Sequence, residues 1–362
     1  MSSRAVVREH TRSALWVSTS LATRGGMSTF VRTLQGTPLW ANWKVTHIAT
    51  HRDGSVPARI MAFADGTVAF VHTLVTRRPD LVHLHTSSYG SFVRKATLAW
   101  LATAAALPVV LHVHGSEFGL FYERSPRLLQ LIIRATLHRA AAVVALGDRW
   151  GERLRRIAPD ARITVIPNAV HLDRPVVQSC GSDPVHVVFL GRIGDRKGTF
   201  TLLEAWALLA PAASTARLTI AGDGEVDRAR DEIARLGVSA SVEVLNWLTP
   251  ERTHALLRSA HVLALPSRDE GQPMAVLEAM ASGLCVVAGN AGGIPDLIDD
   301  GVTGLLVPPC DVAALAAALC SVITDHDTRA RLGGAAHERA CRDFDVEVVW
   351  KRLDALYQEV LT

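Results

Sequence analysis

The residues best equipped for chemistry lie in three segments of the second half of this 362-residue chain. In FLGRIGDRKG, Phe189 to Gly198, glycines 191, 194 and 198 follow an apolar run and lead into a helical pattern from Thr199. Such a loop brings backbone N–H groups close to an anion at a helix N-terminus. Arg192 and Lys197 add two cations, so a diphosphate is expected there in preference to an ordinary strand-to-helix turn. In DEGQPMAVLEAMASG, Asp269 to Gly283, Pro273 suits the first helical position and Gly283 the stop. Met274, Leu277 and Ala281 recur at helical spacing, with Glu278 on the same stripe. A carboxylate on an apolar face costs on the order of several kcal/mol unless it finds donors. Sugar hydroxyls are suitable donors, and a salt bridge to a neighbouring arginine is the alternative. Glu270 lies just before the helix, where the free N–H groups of Gly271, Gln272 and Met274 also point. The third segment, AGNAGGIPDLIDDGVTGLLV, places Gly292 and Gly293 after a strand pattern and before Ile294-Pro295, a further close-approach loop.

The first half offers histidines. His83 and His85, like His112 and His114, are two residues apart, so each pair points to one side of a strand. Four imidazoles could ligate a metal, but a coherent site also wants a carboxylate, and Arg192 with Lys197 already supplies the charge a metal would bring. His83 and His112 are therefore expected as packed sheet residues, with no metal and no cofactor.

These segments need scaffolding, and the chain alternates short apolar runs with amphipathic stretches. Strand patterns fall at Leu15–Ser18, Val45–Ala49, Leu81–Leu84, Val109–Val113, Ala142–Ala145 and Ile163–Ile166. A second series falls at His186–Leu190, Ala216–Ala221, Val242–Leu245, Val262–Leu265, Cys285–Ala288 and Gly304–Val307. Helical patterns near 27–36, 64–78, 91–105, 126–139 and 148–157 separate the first set. Continuous apolar strands alternating with helices predict an α/β chain of two doubly wound parallel sheets. The proline-rich, aperiodic segment between Asn168 and Pro184 marks the boundary, giving domains 1–172 and 173–362. Residues 345–362 form a last helix whose stripe of Val349, Trp350, Leu353, Leu356, Tyr357 and Val360 must dock, and the first domain is the expected place.

Composition narrows the function. With 49% hydrophobic and 20% charged residues, the chain can bury sizeable cores. Five cysteines without a C-x-x-C pair argue against zinc ribbons and disulfide scaffolds. The charged N-terminus does not read as a secretion signal, so a soluble protein of a reducing compartment is expected. Residues 1–175 hold 22 Lys+Arg against 10 Asp+Glu, whereas the remainder holds 16 against 25, so the net +3 hides halves of +12 and −9. A basic half suits an anionic partner, and a solvated arginine-rich face is the plain alternative. No basic run interleaved with aromatics marks a nucleic-acid surface.

In this order and spacing, the three C-terminal segments resemble the retaining GT-B glycosyltransferases of family 4, whose paired glutamates Glu270 and Glu278 reproduce. GGMSTFVRTL, VHLHTSSYGSFVRK, VVLHVHGSEF and ITVIPNAV extend the likeness over nearly the whole chain. The resemblance implies two Rossmann-like domains facing across a cleft, the first for the acceptor and the second for a nucleotide-sugar. It implies that Glu278 bonds the ribose, while Glu270 and the backbone of Gly271, Gln272, Pro273 and Met274 hold the donor sugar. Gly191, Arg192 and Lys197 would meet the diphosphate, Gly25 and Gly26 would close on it, and His114 would sit beside the transferred sugar. Leu248, in the segment from Leu245, would flank the base, with Asn246 departing from a frequent glycine. His85, Ser87, Tyr89, Arg94 and Lys95 would form the acceptor side. Metal-independent, front-face transfer from a UDP-sugar is expected, with diphosphate assistance and Glu117 as the candidate nucleophile for a double displacement. The acceptor would be a lipid-phosphate-linked glycan of a cell-surface polysaccharide or glycolipid, or a small molecule such as an antibiotic or thiol precursor. The enzyme would be cytoplasmic and work at an anionic inner membrane face. A sugar-nucleotide epimerase and a non-catalytic binding relative are the rival readings.

Overall fold

The computed structural model describes residues 12–172, 174–176, 184–209 and 216–362. Much of the segment read as the linker, Cys180 and most of the N-terminal stretch read for a signal lie outside the described residues. Twelve strands form two parallel sheets of six. The first contains β1 (Ala14–Ser18), β2 (Thr46–Ala49), β3 (Leu81–Thr86), β4 (Val109–Val113), β5 (Ala142–Ala145) and β6 (Ile163–Val165), in the order β2-β1-β3-β4-β5-β6. The second contains β7 (Val185–Leu190), β8 (Ala216–Ala221), β9 (Val242–Leu245), β10 (Val262–Leu265), β11 (Cys285–Gly289) and β12 (Leu305–Val307), in the order β12-β11-β10-β7-β8-β9. Central strands such as β3 and β10 are buried throughout, because helices cover both faces.

The first sheet carries α1 (Gly26–Gln35) and α2 (Pro38–Asn42) on one face. On the other lie α3 (Val56–Thr76), α4 (Gly90–Ala104), α5 (Phe118–Arg124), α6 (Arg127–Arg139) and α7 (Asp148–Ile157). Right-handed crossovers impose this division, since β1→β2 runs one way along the sheet and every later connection runs the other. Three helices differ from the sequence pattern. α2 and α5 are too short to show a period. α3 starts eight residues before the predicted 64, with Pro57 in its first turn. Its N-terminal half is apolar on its exposed side too, which hides the period.

The last helix, α14 (Val346–Val360), docks on the first domain as expected. Val349, Leu353, Leu356 and Tyr357 are buried with Trp16, Phe30 and Trp43, while Trp350 and Val360 pack at the edge. Trp43 Nε1 donates to Asp354 Oδ1 at 2.7 Å, and Tyr357 Oη bonds His83 Nδ1.

Candidate active site

In a doubly wound sheet the crevice opens where the strand order reverses. In the second sheet that point lies between β7 and β10, so the loops after these strands meet. The loop after β7 carries Gly191 and Arg192, then a single 3-10 turn, Asp195–Lys197. Gly198 follows in the left-handed region (φ 74°), where a Cβ would strike the Pro266 carbonyl oxygen at 2.1 Å. That close approach seats the β7 loop on the β10 loop. Helix α8 (Thr199–Leu208) then starts with Gly198 as its cap.

The two loops are joined by charge. Lys197 Nζ lies 2.5 Å from Glu270 Oε1, which also accepts from Ser267 Oγ at 2.8 Å. Arg192 is exposed and makes no ion pair among the described residues. The sequence motifs assign Lys197 to phosphate and Glu270 to sugar; the structure makes them one partly buried pair. Gly292, at φ 57°, holds the backbone of Glu270: a Cβ there would meet its carbonyl oxygen at 2.0 Å. Gly293 N donates to the same carbonyl at 2.9 Å. The third segment is thus the cradle of Glu270.

Helix α11 (Met274–Ala281) begins one residue after Pro273, which caps it without a side-chain bond. Leu277 and Ala281 are fully buried, and Gly283 stops the helix at φ 74°. Half-buried Glu278 makes no hydrogen bond or ion pair through its carboxylate among the described residues. Burial raises its proton affinity to about 7, with the Arg32 charge opposing in part. The Arg32 guanidinium itself bonds the Leu21 carbonyl and Thr29 Oγ1. The salt-bridge alternative is therefore not what the fold builds; the carboxylate stands without close donors.

Across the cleft, α1 begins at Gly26 without a side-chain cap, and a Cβ on Gly26 would lie 3.5 Å from Met274 Cγ. The N-termini of α1 and α11 therefore converge. His114 follows β4; a Cβ on Gly271 would meet its carbonyl oxygen at 2.8 Å. Its Nε2 is 3.0 Å from His85 Nδ1, and burial lowers its pKa to about 3, so the ring is neutral. His83, His85 and His112 are wholly buried, with pKa values lowered by burial first. Ring nitrogens of these three lie within 4.8 Å of one another. Their rings stack, with 7° between His83 and His112.

The five acceptor-side residues do not share one surface. Ser87 N is bonded to Ser91 Oγ, and Tyr89 caps α4 with a strained φ of 55°, its ring half-exposed beside Phe121. Arg94 is partly exposed, and its pKa is lowered by burial and by Arg59. Lys95 is a correction: it is 1% exposed and donates to Thr50 Oγ1 at 2.5 Å, with its pKa lowered to about 7 by burial. With Phe92, Ala96 and Ala99 it lies on the buried face of α4.

The Gln272 side chain, as distinct from the backbone expected at the donor, reaches the first domain. Its Nε2 donates to the Leu146 carbonyl at 2.9 Å, and its Oε1 accepts from Asn168 N at 2.5 Å, tying the domains together. Trp150 Nε1 adds a bond to the Gly271 carbonyl at 3.0 Å. Neither Asn168 nor Trp150 carried a signal separable from ordinary core and loop residues. Leu248 packs on the second-domain core, while its neighbour Trp247 is exposed beneath Arg24, 5.5 Å from ring to guanidinium. Arg24 also pairs with Asp223 at 3.5 Å across the domains. An exposed tryptophan beside the β9 loop was the available clue.

Two facing Rossmann-like domains, a cationic loop and a glutamate pair at the switch point define a glycosyltransferase. Residues 17–174 match the model of Glycosyltransferase Family 4, and residues 177–339 match that of Glycosyl transferases group 1. The D-inositol 3-phosphate glycosyltransferase of Corynebacterium efficiens is 35% identical over 84% of this chain and 76% of its own length. A provisionally named colanic acid biosynthesis glycosyltransferase of Salmonella typhimurium is 30% identical over 65% of this chain, which spans 60% of that relative. Sucrose-phosphate synthase from Thermosynechococcus elongatus superposes with a TM-score of 0.82 at 20% identity, over 96% of this chain and 99% of its own. Anabaena HepE in complex with UDP-glucose gives 0.73 at 19% identity, over 96% and 99%. The chain belongs to the GT-B glycosyltransferases of family 4, group 1.

Proposed function

We propose that the chain transfers a hexosyl group from a UDP-sugar to an acceptor hydroxyl with retention of anomeric configuration and without a metal. Residues 173–362 would hold the donor and 1–172 the acceptor. One observation carries the reading: Glu278, on the apolar stripe of α11, is a half-buried carboxylate without close donors that feels the Arg32 charge of the first domain. Ribose hydroxyls would supply them. Lys197, beside Gly191, and Arg192 would neutralise the diphosphate, and Glu270 would orient the sugar while holding Lys197. Trp247 would offer the base a stacking surface in place of Leu248.

In the step itself, the bond from the anomeric carbon to the β-phosphate oxygen breaks. The acceptor oxygen bonds that carbon on the same face, and its proton passes to a β-phosphate oxygen. Preorganised cations stabilise the departing charge. His114, neutral and beside Gly271, would accept or donate a hydrogen bond at the sugar without carrying charge. Glu117, at the start of α5, remains the alternative nucleophile of a double displacement. The structural neighbour solved with UDP-glucose supports the choice of donor. Polysaccharide or glycolipid synthesis is the favoured setting. Transfer to a small phosphorylated polyol is a second reading, favoured by the 35% relative and by Arg94 facing Arg59 on the acceptor side.

Incubation with a panel of UDP- and GDP-sugars, read by mass spectrometry and anomeric NMR, tests the reading. Turnover of a UDP-hexose to an α-linked product, undiminished by EDTA, is expected. Inversion, or strict dependence on a divalent ion, overturns the mechanism.

A further inference from the structure

Among the described residues seventeen large hydrophobic side chains are exposed, and twelve of them lie on α3, α4 and α6. These helices cover the same face of the first sheet, with α4 touching both neighbours, so the twelve form one layer rather than scattered single residues. Patches of that extent mark an interaction surface.

Helix α3 dominates the layer. It is long and apolar enough to cross a membrane by length and composition. Its inner side, however, is pinned to the sheet: Phe70 and Leu74 are buried in the first-domain core, and a Cβ on Gly66 would meet the Ala49 carbonyl oxygen at 2.5 Å. It therefore lies flat. Its outward side carries Ile60, Val68, Val71 and Val75, an apolar arc of about 80° at 100° per residue. Leu101 of α4 and Leu131 of α6 continue the layer.

The charges around it are predominantly positive. Arg77 and Arg78 follow α3, and α6 exposes Arg127, Arg134 and Arg139, the last over the Trp100 ring at 4.5 Å. On the three helices Asp65 is the sole acidic residue. We infer that this layer docks in the plane of an anionic lipid bilayer, its apolar arc in the headgroup boundary and its arginines on the lipid phosphates. A second copy of the chain fits poorly, because pairing this face with itself sets arginine against arginine. The inference goes beyond glycosyl transfer and stands without it.

The test is co-sedimentation of the full chain with vesicles of phosphatidylcholine alone, or with added phosphatidylglycerol, at low and high salt. Adsorption is expected on the anionic vesicles at low salt, falling as salt rises. The triple variant Ile60→Glu, Val68→Glu, Val71→Glu should weaken it by at least about tenfold, and so should Arg127→Glu with Arg134→Glu. All five positions are exposed and outside the cleft, so melting temperature and hydrolysis of soluble donor should match the wild type, which certifies the fold. No adsorption by the wild type, or adsorption that the folded variants leave intact, overturns the inference. So does a wild-type dimer in solution that the triple variant dissolves, since a second copy would then cover the face.

Discussion

At the residue scale, Glu278 and Glu270 are alike in chemistry and opposite in circumstance. Glu270 is saturated by Lys197 and Ser267, while Glu278 waits without donors. Folding raises the Glu278 carboxyl from its ordinary value of 4.5 to about 7, so the folded chain keeps that proton to higher pH than the unfolded chain. The ligand-free fold is therefore penalised progressively as pH rises from 4.5 to about 7, by at most roughly 3–4 kcal/mol at about 1.4 kcal/mol per pH unit. Glu278→Gln should raise the melting temperature above pH 7 and leave it unchanged below 4.5. Hydroxyl donors favour the ionised form, so UDP binding to the wild type should strengthen as pH rises through about 7. Calorimetry in buffers of different ionisation heat should detect the released proton, and the glutamine variant should show none. Glu270→Ala should instead lower kcat more than UDP affinity, because in the proposed function its carboxylate meets the reacting sugar. Equal loss of UDP affinity in both variants would refute the division. Lys197→Ala and Arg192→Ala should each cost on the order of 10²-fold in transfer, as loss of one preorganised donor does. The Lys197 variant also frees Glu270, so its melting temperature should move as well; that of the exposed Arg192 should not.

At the scale of elements, the loop after β11 acts on the site through the backbone of Glu270. Gly292 and Gly301 both have left-handed backbones, at φ 57° and 73°. Alanine at either bears the left-handed cost of about 1–2 kcal/mol. Only at Gly292 does the new methyl also press on the Glu270 carbonyl, because Gly301 has open space around it. Gly292→Ala should therefore reduce transfer by about tenfold or more as well as stability, whereas Gly301→Ala should lower the melting temperature alone. Identical activities in the two variants would show that the cradle does not hold Glu270. Helix α14 plays the corresponding structural part in the first domain, closing the core over Trp16 and Trp43.

At the scale of the molecule, two sheets built by the same winding rule are set face to face by few polar contacts. Gln272 makes three hydrogen bonds to the first domain, counting its carbonyl to Asn168 Nδ2 at 3.0 Å, and Trp150 returns one. The exposed Arg24–Asp223 pair contributes little by comparison. Gln272→Ala leaves the Leu146 carbonyl and the Asn168 N–H buried and unpaired, at about 1–3 kcal/mol each. The expected outcome is a melting curve that separates into two transitions and a larger radius of gyration in solution scattering. A single, unshifted transition would mean that the other contacts, among them Asp296 with Arg149, suffice to set the junction.

All twelve strands were legible from short apolar runs, because burial on both faces forces continuous hydrophobic sequence and leaves little else the segment could be. The glutamate spacing, the glycines and the Arg–Lys loop were legible for a related reason: each demands a residue type that few others can replace. What the one-dimensional pattern could not contain was which side chains face which. Lys95 reads as an acceptor cation and is turned into the core against Thr50; Gln272 is read for its backbone alone, and its side chain joins the domains. Lys197 and Glu270 lie seventy-three positions apart and meet because the sheet reverses its winding between β7 and β10. Such pairings depend on topology and on the packing of distant segments, so they are decided only when the chain closes on itself. The apolar outer face of α3 is the same lesson from outside: hydrophobic sequence predicted a helix, and the tertiary structure alone determined that this side of it stays uncovered.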